Sequence, residues 1–240
     1  NKKRMKRDTQ RQGQHFLRGQ AFIAELVGHS NVRKNDTVLD IGAGSGAIAV
    51  VLSRRAKRVI AYEPEPNAAT LLRKNMTDHP NVEVRAKDFL SAELPTSPYK
   101  IFSNIPFHLS SQIVRKLTTA IHAPTSVYLI VQKQFAVKMQ PEGNHFHGAL
   151  GMAIAPWWVA RIRRPLRRSD FTPPPAVDTV LLELKPRETP LVPRERQTEY
   201  MQFVEQCYAE PRFYAKTGAP KAKKPSELSV EEWVAVSARR

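Results

Sequence analysis

The sequence predicts an α/β fold, a mostly parallel sheet of seven strands followed by a small helical domain. Three observations predict it. Short apolar strands alternate with helices between residues 37 and 131, a glycine turn joins the first of these strands to a helix, and the composition changes near Pro186. Such alternation indicates βαβ units and a parallel sheet covered on both faces. A chain of 240 residues has room for one large domain and a small appendage.

Each segment up to residue 131 is predicted from its own pattern. Apolar residues at helical spacing predict a helix over 20–28. The alternating series then consists of a strand at 37–41, the glycine turn at 42–46, a helix at 47–56, a strand at 59–62, a helix at 66–76, strands at 82–86 and 99–104, a helix ending near residue 120, and a strand at 126–131. Ser110 or Ser111 is the predicted cap of the helix that ends near residue 120.

Two later apolar stretches are predicted to close the sheet. They lie at 154–162 and 179–184, and we expect them to add antiparallel strands. Three prolines within 185–193 then predict a linker.

The last part of the chain is predicted to be helical. One helix is predicted at 199–208 and another at 229–236, where Ser229 is the cap and two acids occupy the first turn. The predicted organisation is a basic N-terminal arm at 1–18, an α/β domain at 19–186 and a small helical domain at 187–240.

The charge of the chain predicts a polyanionic partner. A net charge of +16 repels itself in the folded state, and an acidic polymer is the usual partner of such a chain. Nucleic acid fits best because each neutralised phosphate also releases counterions. An apolar span of membrane length is not present in the sequence, so a membrane partner is not expected. The first 18 residues carry seven Lys or Arg and one acid, which predicts a basic arm or, for the first ten residues, a solubilising tail.

The cysteine and histidine content limits the chemistry. Cys207 is the only cysteine, which excludes an intrachain disulfide and a cysteine-based metal cluster, and its neighbours predict a buried thiol. His145 and His147 have no convincing third ligand, so we predict no metal site. The charged start of the chain has no apolar run behind it, and the cytoplasm is the expected location.

The glycine turn and three acids predict a nucleoside site. Gly42 and Gly44 allow the backbone to approach a ligand closely, although this spacing also fits dinucleotide-binding turns. Asp40, Glu63 and Asp88 follow or end three successive strands, where they are suited to a sulfonium charge, ribose hydroxyls and an adenine amine respectively. An acidic crevice of this kind favours a cationic nucleoside without phosphates over NAD. The alternative is that these acids are helix caps and surface residues.

The tetrapeptide Asn104-Ile105-Pro106-Phe107 ends the fourth strand and predicts methyl transfer to an exocyclic adenine amine. The lone pair of that amine is delocalised into the ring, which makes the nitrogen a poor nucleophile. Hydrogen-bond acceptors aimed at the amine hydrogens can localise the lone pair on the nitrogen. The Asn104 side-chain oxygen and the Ile105 carbonyl can do so, Pro106 stiffens the turn, and Phe107 offers a face for base stacking. Alignment of the reacting atoms then supplies the remaining catalysis.

In order and spacing, these motifs resemble the Erm family of 23S rRNA adenine N6-methyltransferases. The matching residues are Gln12–Leu17, the turn at 40–46, Glu63, Asp88, 104–107 and Phe171–Asp178. The resemblance is close from about residue 12 to 184 and looser over 225–236. It implies a Rossmann-like class I methyltransferase domain, S-adenosylmethionine as cofactor, and methylation of one adenine in the drug-binding region of large-subunit RNA. Resistance to macrolides, lincosamides and streptogramin B would follow.

The resemblance also implies roles for individual residues. It assigns cofactor contacts to His15, Leu17, Gly42, Glu63, Asp88 and Asn104. The target base would lie between Phe107 and Phe171. This chain departs from the family in having His15 where Asn is commoner and Phe107 where Tyr is frequent, and a stretch usual in the family is missing after Pro211.

A basic cluster precedes Phe171. It consists of Arg161, Arg163, Arg164, Arg167 and Arg168. We interpret it as an RNA-binding rim beside the active site, with a strand edge protected by charge as the alternative. The neighbouring Trp157 and Trp158 are predicted to belong to the core.

Three other functions remain open. A housekeeping small-subunit rRNA adenine dimethyltransferase of the KsgA type shares the cofactor motifs, but Ile105, Phe107 and the short C-terminal region favour Erm. A non-catalytic nucleic-acid-binding relative would not need an intact Asn104. An NAD-dependent oxidoreductase leaves the charge unexplained. Because the target base must be unstacked, we expect the protein to act on free 23S rRNA or on an assembling large subunit. We expect the protein itself to be a monomer.

Overall fold

The structure, a computed structural model, describes residues 15–143 and 146–239. Within these ranges it contains a seven-stranded sheet whose spatial order is β4-β3-β2-β5-β6-β9-β7. The strands are β2 Thr37–Ile41, β3 Arg58–Tyr62, β4 Val82–Arg85, β5 Lys100–Asn104, β6 Ser126–Gln132, β7 Trp158–Leu166 and β9 Thr179–Pro186. Strands β2 to β6 are parallel, and β9 and β7 are antiparallel. The predicted Rossmann-like fold class is confirmed.

Helices cover both faces of this sheet because the strands are apolar on both sides. They are α1 Gln20–Gly28, α2 Ala47–Ser53, α3 Pro66–Asn75, α4 Ser110–Thr119, α5 Lys133–Met139, α6 Ala149–Ile154, α7 Gln197–Ala209, α8 Pro211–Tyr214 and α9 Val230–Ser237. Val38 of β2 belongs to the hydrophobic cluster with α1, α2 and α3. Its neighbour Leu39 belongs to the cluster with α4 to α7 and α9. Successive residues of one strand therefore anchor opposite helical layers.

The strand order changes direction at β2, and this change positions the site. The chain first builds β3 and β4 on one side of β2, then returns to place β5 and β6 on the other. The loops that leave β2 and β5 consequently diverge. In open α/β sheets a crevice forms at the carboxyl ends of the strands at such a point, and ligands bind there.

The C-terminal helices pack onto the cluster shared with the sheet. Tyr200, Val204 and Cys207 of α7 and Trp233 of α9 are buried in that cluster. Trp233 stacks on Tyr208, with ring centroids 5.9 Å apart. The predicted capping box is present, since the Ser229 hydroxyl accepts from Glu232 N. The predictions of buried Cys207 and of core positions for Trp157 and Trp158 are confirmed.

Several boundaries differ from the sequence prediction. Residues 149–154 form helix α6, so the strand predicted from residue 154 begins at Trp158. Ser110 does not cap α4, because it is the first helical residue and its buried hydroxyl has no partner among the described residues. A two-stranded antiparallel sheet of β1 (Phe16–Leu17) and β8 (Phe171–Thr172) was not predicted. None of the helices in the described part of the chain is long and apolar enough to span a bilayer.

Candidate active site at the ends of β2 and β5

A cavity opens at the carboxyl edge of the sheet, between the ends of β2 and β5. It is bounded by the N-terminal segment 15–17, by the β2 end with the glycine turn and the start of α2, and by the β5 end at 104–107. Its volume is about 50 Å³, well below the roughly 300–1,000 Å³ of typical ligand pockets. The side chains of His15 and Phe16 line it. The cavity is therefore smaller than a nucleoside.

The glycine turn brings its backbone close to neighbouring segments. Gly44 has φ +55°, and a Cβ there would lie 3.1 Å from the Phe16 ring. Gly46 has φ +94°, and a Cβ there would lie 2.7 Å from side-chain atoms of Leu72 in α3 and of Met76, which follows α3. The left-handed backbone favours glycine at both positions. The absence of side chains lets the segment 15–17 and α3 approach the turn.

Asp40 lines the cavity from the end of β2 and is almost fully buried. Burial, followed by the neighbouring Glu63 carboxylate, raises the pKa of Asp40 to about 8, while hydrogen bonds from Ala49 N–H and Ser103 act in the opposite direction. Its Oδ2 atom has no hydrogen-bond partner among the described residues. A positively charged ligand would stabilise the ionised form of this buried carboxyl group.

The other two predicted acids do not line the cavity. Glu63 is buried behind the turn, where its carboxylate accepts hydrogen bonds from Gly44 N (2.9 Å) and Glu65 N (3.0 Å). Asp88 is exposed, and its Oδ1 accepts from Leu90 N at 3.0 Å. The structure thus brings only Asp40 of these three into the cavity. Asp88 is a surface residue, in line with the alternative that the sequence left open, whereas Glu63 is buried and is not a helix cap.

Asn104 is oriented by a contact from the start of the chain. Its Nδ2 donates to the His15 carbonyl at 2.6 Å. Because the amide nitrogen is held in this way, Oδ1 is the end of the side chain that can accept from a ligand. Asn104 and the following Ile105, Pro106 and Phe107 all line the cavity. The sequence-predicted tetrapeptide is therefore at the cavity.

Phe107 stacks on His15, and Phe171 does not take part in that stack. The ring centroids of Phe107 and His15 are 5.8 Å apart with an interplanar angle of 27°. His15 Nδ1 also contacts the Pro173 carbonyl at 2.8 Å. Phe171 is fully buried in the cluster with α1 and α2, and it pairs with Leu17. In this structure Phe171 has no face available to a base, which contrasts with the role that the resemblance implied.

Two residues of this region escaped the sequence analysis. Phe16 packs over Gly44 and lines the cavity. Ser103 is buried at the end of β5, where its hydroxyl accepts from Ile41 N at 2.7 Å and so links the two strands of the crevice. A serine inside an apolar strand was a usable signal for Ser103. A two-residue strand has no periodicity that could have singled out Phe16.

Three of the five predicted RNA-binding arginines form ion pairs. Arg163 lies 3.7 Å from the buried carboxylate of Glu183. Arg164 pairs with Glu25 of α1 and contacts His29, and Arg168 pairs with Asp178 at 3.4 Å. The remaining two members are Arg161 and Arg167. Since β7 is the edge strand, these pairs agree with the alternative of a strand edge protected by charge.

The residues considered as metal ligands are not gathered into a site. His147 Nδ1 contacts the Gln140 carbonyl at 3.2 Å, and His145 lies outside the described residues. Over 15–143 and 146–239, the structure has no group of three His, Cys, Asp or Glu side chains suited to a metal ion. The predicted basic arm up to residue 14 also lies outside the described residues.

Comparison with known proteins identifies relatives over most of the chain. The rRNA adenine N-6-methyltransferase of Saccharopolyspora erythraea is 32% identical over 212 residues, which cover 85% of this chain and 54% of that protein. A probable ribosomal RNA small subunit methyltransferase A of Methanosarcina mazei is 34% identical over 200 residues, which cover 83% and 72%. This chain thus spans about half the length of the first relative.

The fold has a counterpart among solved structures. The crystal structure of the 23S rRNA methyltransferase ErmE superposes with a TM-score of 0.79 at 26% sequence identity, covering 93% of this chain and 98% of that one. A family model described as ribosomal RNA adenine dimethylase matches residues 5–234, which is nearly the whole sequence. The chain therefore belongs to the ribosomal RNA adenine dimethylase family.

Proposed function

We propose that this protein transfers a methyl group from S-adenosylmethionine to N6 of one adenine in 23S rRNA, and thereby confers resistance to macrolides, lincosamides and streptogramin B. The observation that carries the proposal is the orientation of Asn104. Its amide nitrogen is engaged by the His15 carbonyl at 2.6 Å, and its oxygen remains for an amine hydrogen. Relatives named as rRNA adenine N-6-methyltransferases support this activity.

The cavity residues fit the cofactor. The orphaned Oδ2 of buried Asp40 is suited to a positively charged ligand, and Gly42 and Leu17 line the same cavity. We assign cofactor binding to these residues, to His15 and to Asn104, with Glu63 holding the turn from behind. When bound, the cofactor supplies an electrophilic methyl group on its sulfonium. Entry of the nucleoside displaces the rings of His15 and Phe16.

The protein activates the amine by hydrogen bonding and alignment. Asn104 Oδ1 and the Ile105 carbonyl accept the two amine hydrogens, which localises the lone pair on nitrogen. The bound cofactor would supply the methyl group to this nitrogen, and the amine proton would leave to water. Phe107 supplies a stacking face for the base once His15 has moved. These effects are proximity and electrostatic preorganisation.

A small-subunit substrate is the second candidate. The relative from Methanosarcina mazei bears that name and is as similar as the relative named rRNA adenine N-6-methyltransferase, at 34% against 32% identity. We favour 23S rRNA because the ErmE structure is matched over 98% of its length. We further propose a cytoplasmic monomer that acts on free RNA or on an assembling large subunit, and that contacts RNA through Arg161, Arg167 and the helices after residue 187.

Primer extension tests this function. Deproteinised 23S and 16S rRNA are incubated with the protein and tritiated S-adenosylmethionine. Label in each RNA measures transfer of one or two methyl groups, and reverse transcription then maps adenines that two methyl groups have blocked. A single stop in 23S rRNA, at the macrolide-binding region, is expected. A stop only in 16S rRNA would replace the substrate assignment, and methyl transfer to neither RNA would overturn the proposed activity.

A further inference from the structure

An open groove runs between α1 and α2, apart from the catalytic cavity. Its volume is about 690 Å³. Its floor includes the apolar side chains of Ala24 and Val51, and no acidic residue lines it. Four cationic residues line its walls, Arg33, Lys34, Arg54 and Arg55. We propose that this basic groove binds phosphate groups of the RNA whose adenine enters the cavity, an inference that rests on the proposed function.

The four cations keep their charge available. Arg54 donates to the Gln20 side-chain oxygen at 3.2 Å, and Arg55 donates to the Val32 carbonyl at 3.4 Å. Both acceptors are uncharged, so they orient the guanidinium groups without neutralising them. Among the described residues, none of the four groove cations forms an ion pair, in contrast to Arg163, Arg164 and Arg168.

The acid closest in sequence is already engaged elsewhere. Asp36 Oδ2 pairs with Lys100 at 2.7 Å and accepts from the main-chain N–H of Arg33 at 2.6 Å. It therefore anchors the loop that carries Arg33 and Lys34, and it leaves their side chains free to meet an anion. Side chains held on a fixed loop lose less conformational freedom when they bind.

The groove and the cavity are joined by two short stretches of chain. Helix α2 begins at Ala47, which lines the cavity, and Arg54 follows its last residue. At 1.5 Å rise per residue the two ends are about 10 Å apart. On the other wall, Leu17 lines the cavity and Gln20 lines the groove. An RNA that presents a base to the cavity can therefore reach the groove with phosphates only a few nucleotides away.

The dimensions and charge of the groove favour a polyanion. Four cations around an open space of about 690 Å³ exceed what a single inorganic phosphate can contact. Several phosphates along one backbone would each be neutralised by a separate side chain, with release of counterions. Such contacts position the RNA and do not read its sequence. The groove thus supplies affinity for the RNA that flanks the target.

Two variants of equal charge change test the groove. The groove variant combines R33Q with R54Q, and K34Q with R55Q is an independent second version. The control combines R58Q with R115Q, which removes the same charge from exposed ion-paired arginines of β3 and of α4. Filter binding of radiolabelled full-length 23S and 16S transcripts is measured at several KCl concentrations, and methyl transfer and S-adenosylmethionine affinity are measured in parallel.

We expect the groove variants to weaken RNA binding about tenfold or more. The slope of log K against log salt should become shallower by about 0.7 for each lost phosphate contact. KM for RNA should rise, whereas kcat at saturating RNA and cofactor affinity should stay within twofold of the unmodified protein. The control should keep most of the salt slope.

Equal losses in groove and control variants would show an effect of net charge only and would overturn the inference. Unchanged salt slopes in both groove variants would overturn it too, as would binding of phosphatidylglycerol vesicles at the groove in preference to RNA. Methyl transfer by the unmodified protein is scored separately. If it fails on both transcripts, the proposed function falls; if it succeeds while groove and control variants behave alike, only the groove inference falls.

Discussion

Asn104 donates from its amide nitrogen and keeps its oxygen for the amine in the function that we propose, so an amide suits this position better than a carboxylate. The nitrogen donates to the His15 carbonyl, and a carboxylate would instead face that carbonyl with like charge. The placement of Asn104 at a strand end could be predicted from the sequence. Its partner could not be predicted, because the partner is a main-chain carbonyl 89 residues away. Every residue has such a carbonyl, so the pattern of side chains does not single it out.

In Asn104→Asp the His15 carbonyl repels the carboxylate and turns the accepting oxygen away from the amine. We expect kcat to fall by about 10²–10³-fold, as is typical when one preorganised polar contact to the reacting group is lost. Transfer of tritium from labelled S-adenosylmethionine to rRNA measures this. The neighbouring His108 is exposed, and H108A is the matched control with nearly full activity. An N104D enzyme that keeps more than a third of the rate would contradict the assigned role.

Asp40 makes stability depend on pH. In the folded protein its pKa is about 8, against an ordinary 3.8, so between these values the folded state holds a proton that the unfolded chain has released. Stability from this group is therefore complete at low pH and is lost as the pH rises toward 8. In D40N this loss is absent.

The free energy of unfolding of D40N, relative to the unmodified protein, should accordingly increase by a few kcal/mol between pH 5 and pH 9. Urea denaturation at a series of pH values measures the difference. D88N, which changes an exposed carboxylate in the loop after β4, serves as control. A constant difference between D40N and the parent across this range would refute the prediction.

Among the secondary-structure elements, the parallel strands could be predicted to within about two residues. Both faces are buried in four of them, β2, β3, β5 and β6. In a sequence, such strands appear as apolar runs bounded by turns. Helix α6 was not predicted, and its last residue was assigned to the following strand. A short apolar run has no periodicity that separates a buried helix from a strand. The pairing of β1 with β8 depends on contacts between distant residues.

The glycine turn before α2 gives a prediction at the level of the element. G46A should destabilise the protein by about 1–3 kcal/mol, since it combines a left-handed backbone with a Cβ only 2.7 Å from Leu72 and Met76. Thermal and urea denaturation measure the effect. Gly28, at the end of α1, has open space around it, and G28A should be neutral or slightly stabilising. Equal effects of the two substitutions would exclude this account of the turn.

The whole molecule is organised around two hydrophobic clusters, one on each face of the sheet. Helices α7 and α9 belong to the same cluster as β6 and β9, although the change in composition near residue 186 predicts a separate domain. The prolines of the predicted linker restrict the local backbone, and they do not determine where the following helices pack. A shared cluster favours a single cooperative unfolding transition.

Leu228 lies in this shared cluster and is fully buried. L228A should lower the free energy of unfolding by about 2–5 kcal/mol and should shift far-UV circular dichroism and tryptophan fluorescence transitions together. Ile121 is 92% exposed, and I121A should leave both transitions unchanged. Two separated transitions in L228A would indicate that the C-terminal helices unfold on their own.

The pairing of β1 with β8 has a consequence for synthesis on the ribosome. Arg18 and Thr172, which hydrogen-bond at the end of this pair, are 154 residues apart. At about 5–20 residues per second, the later strand is translated roughly 8–30 s after the earlier one. The nascent chain holds its first strand unpaired throughout that interval. One wall of the cavity, and any activity that depends on it, is completed only after Thr172 has emerged.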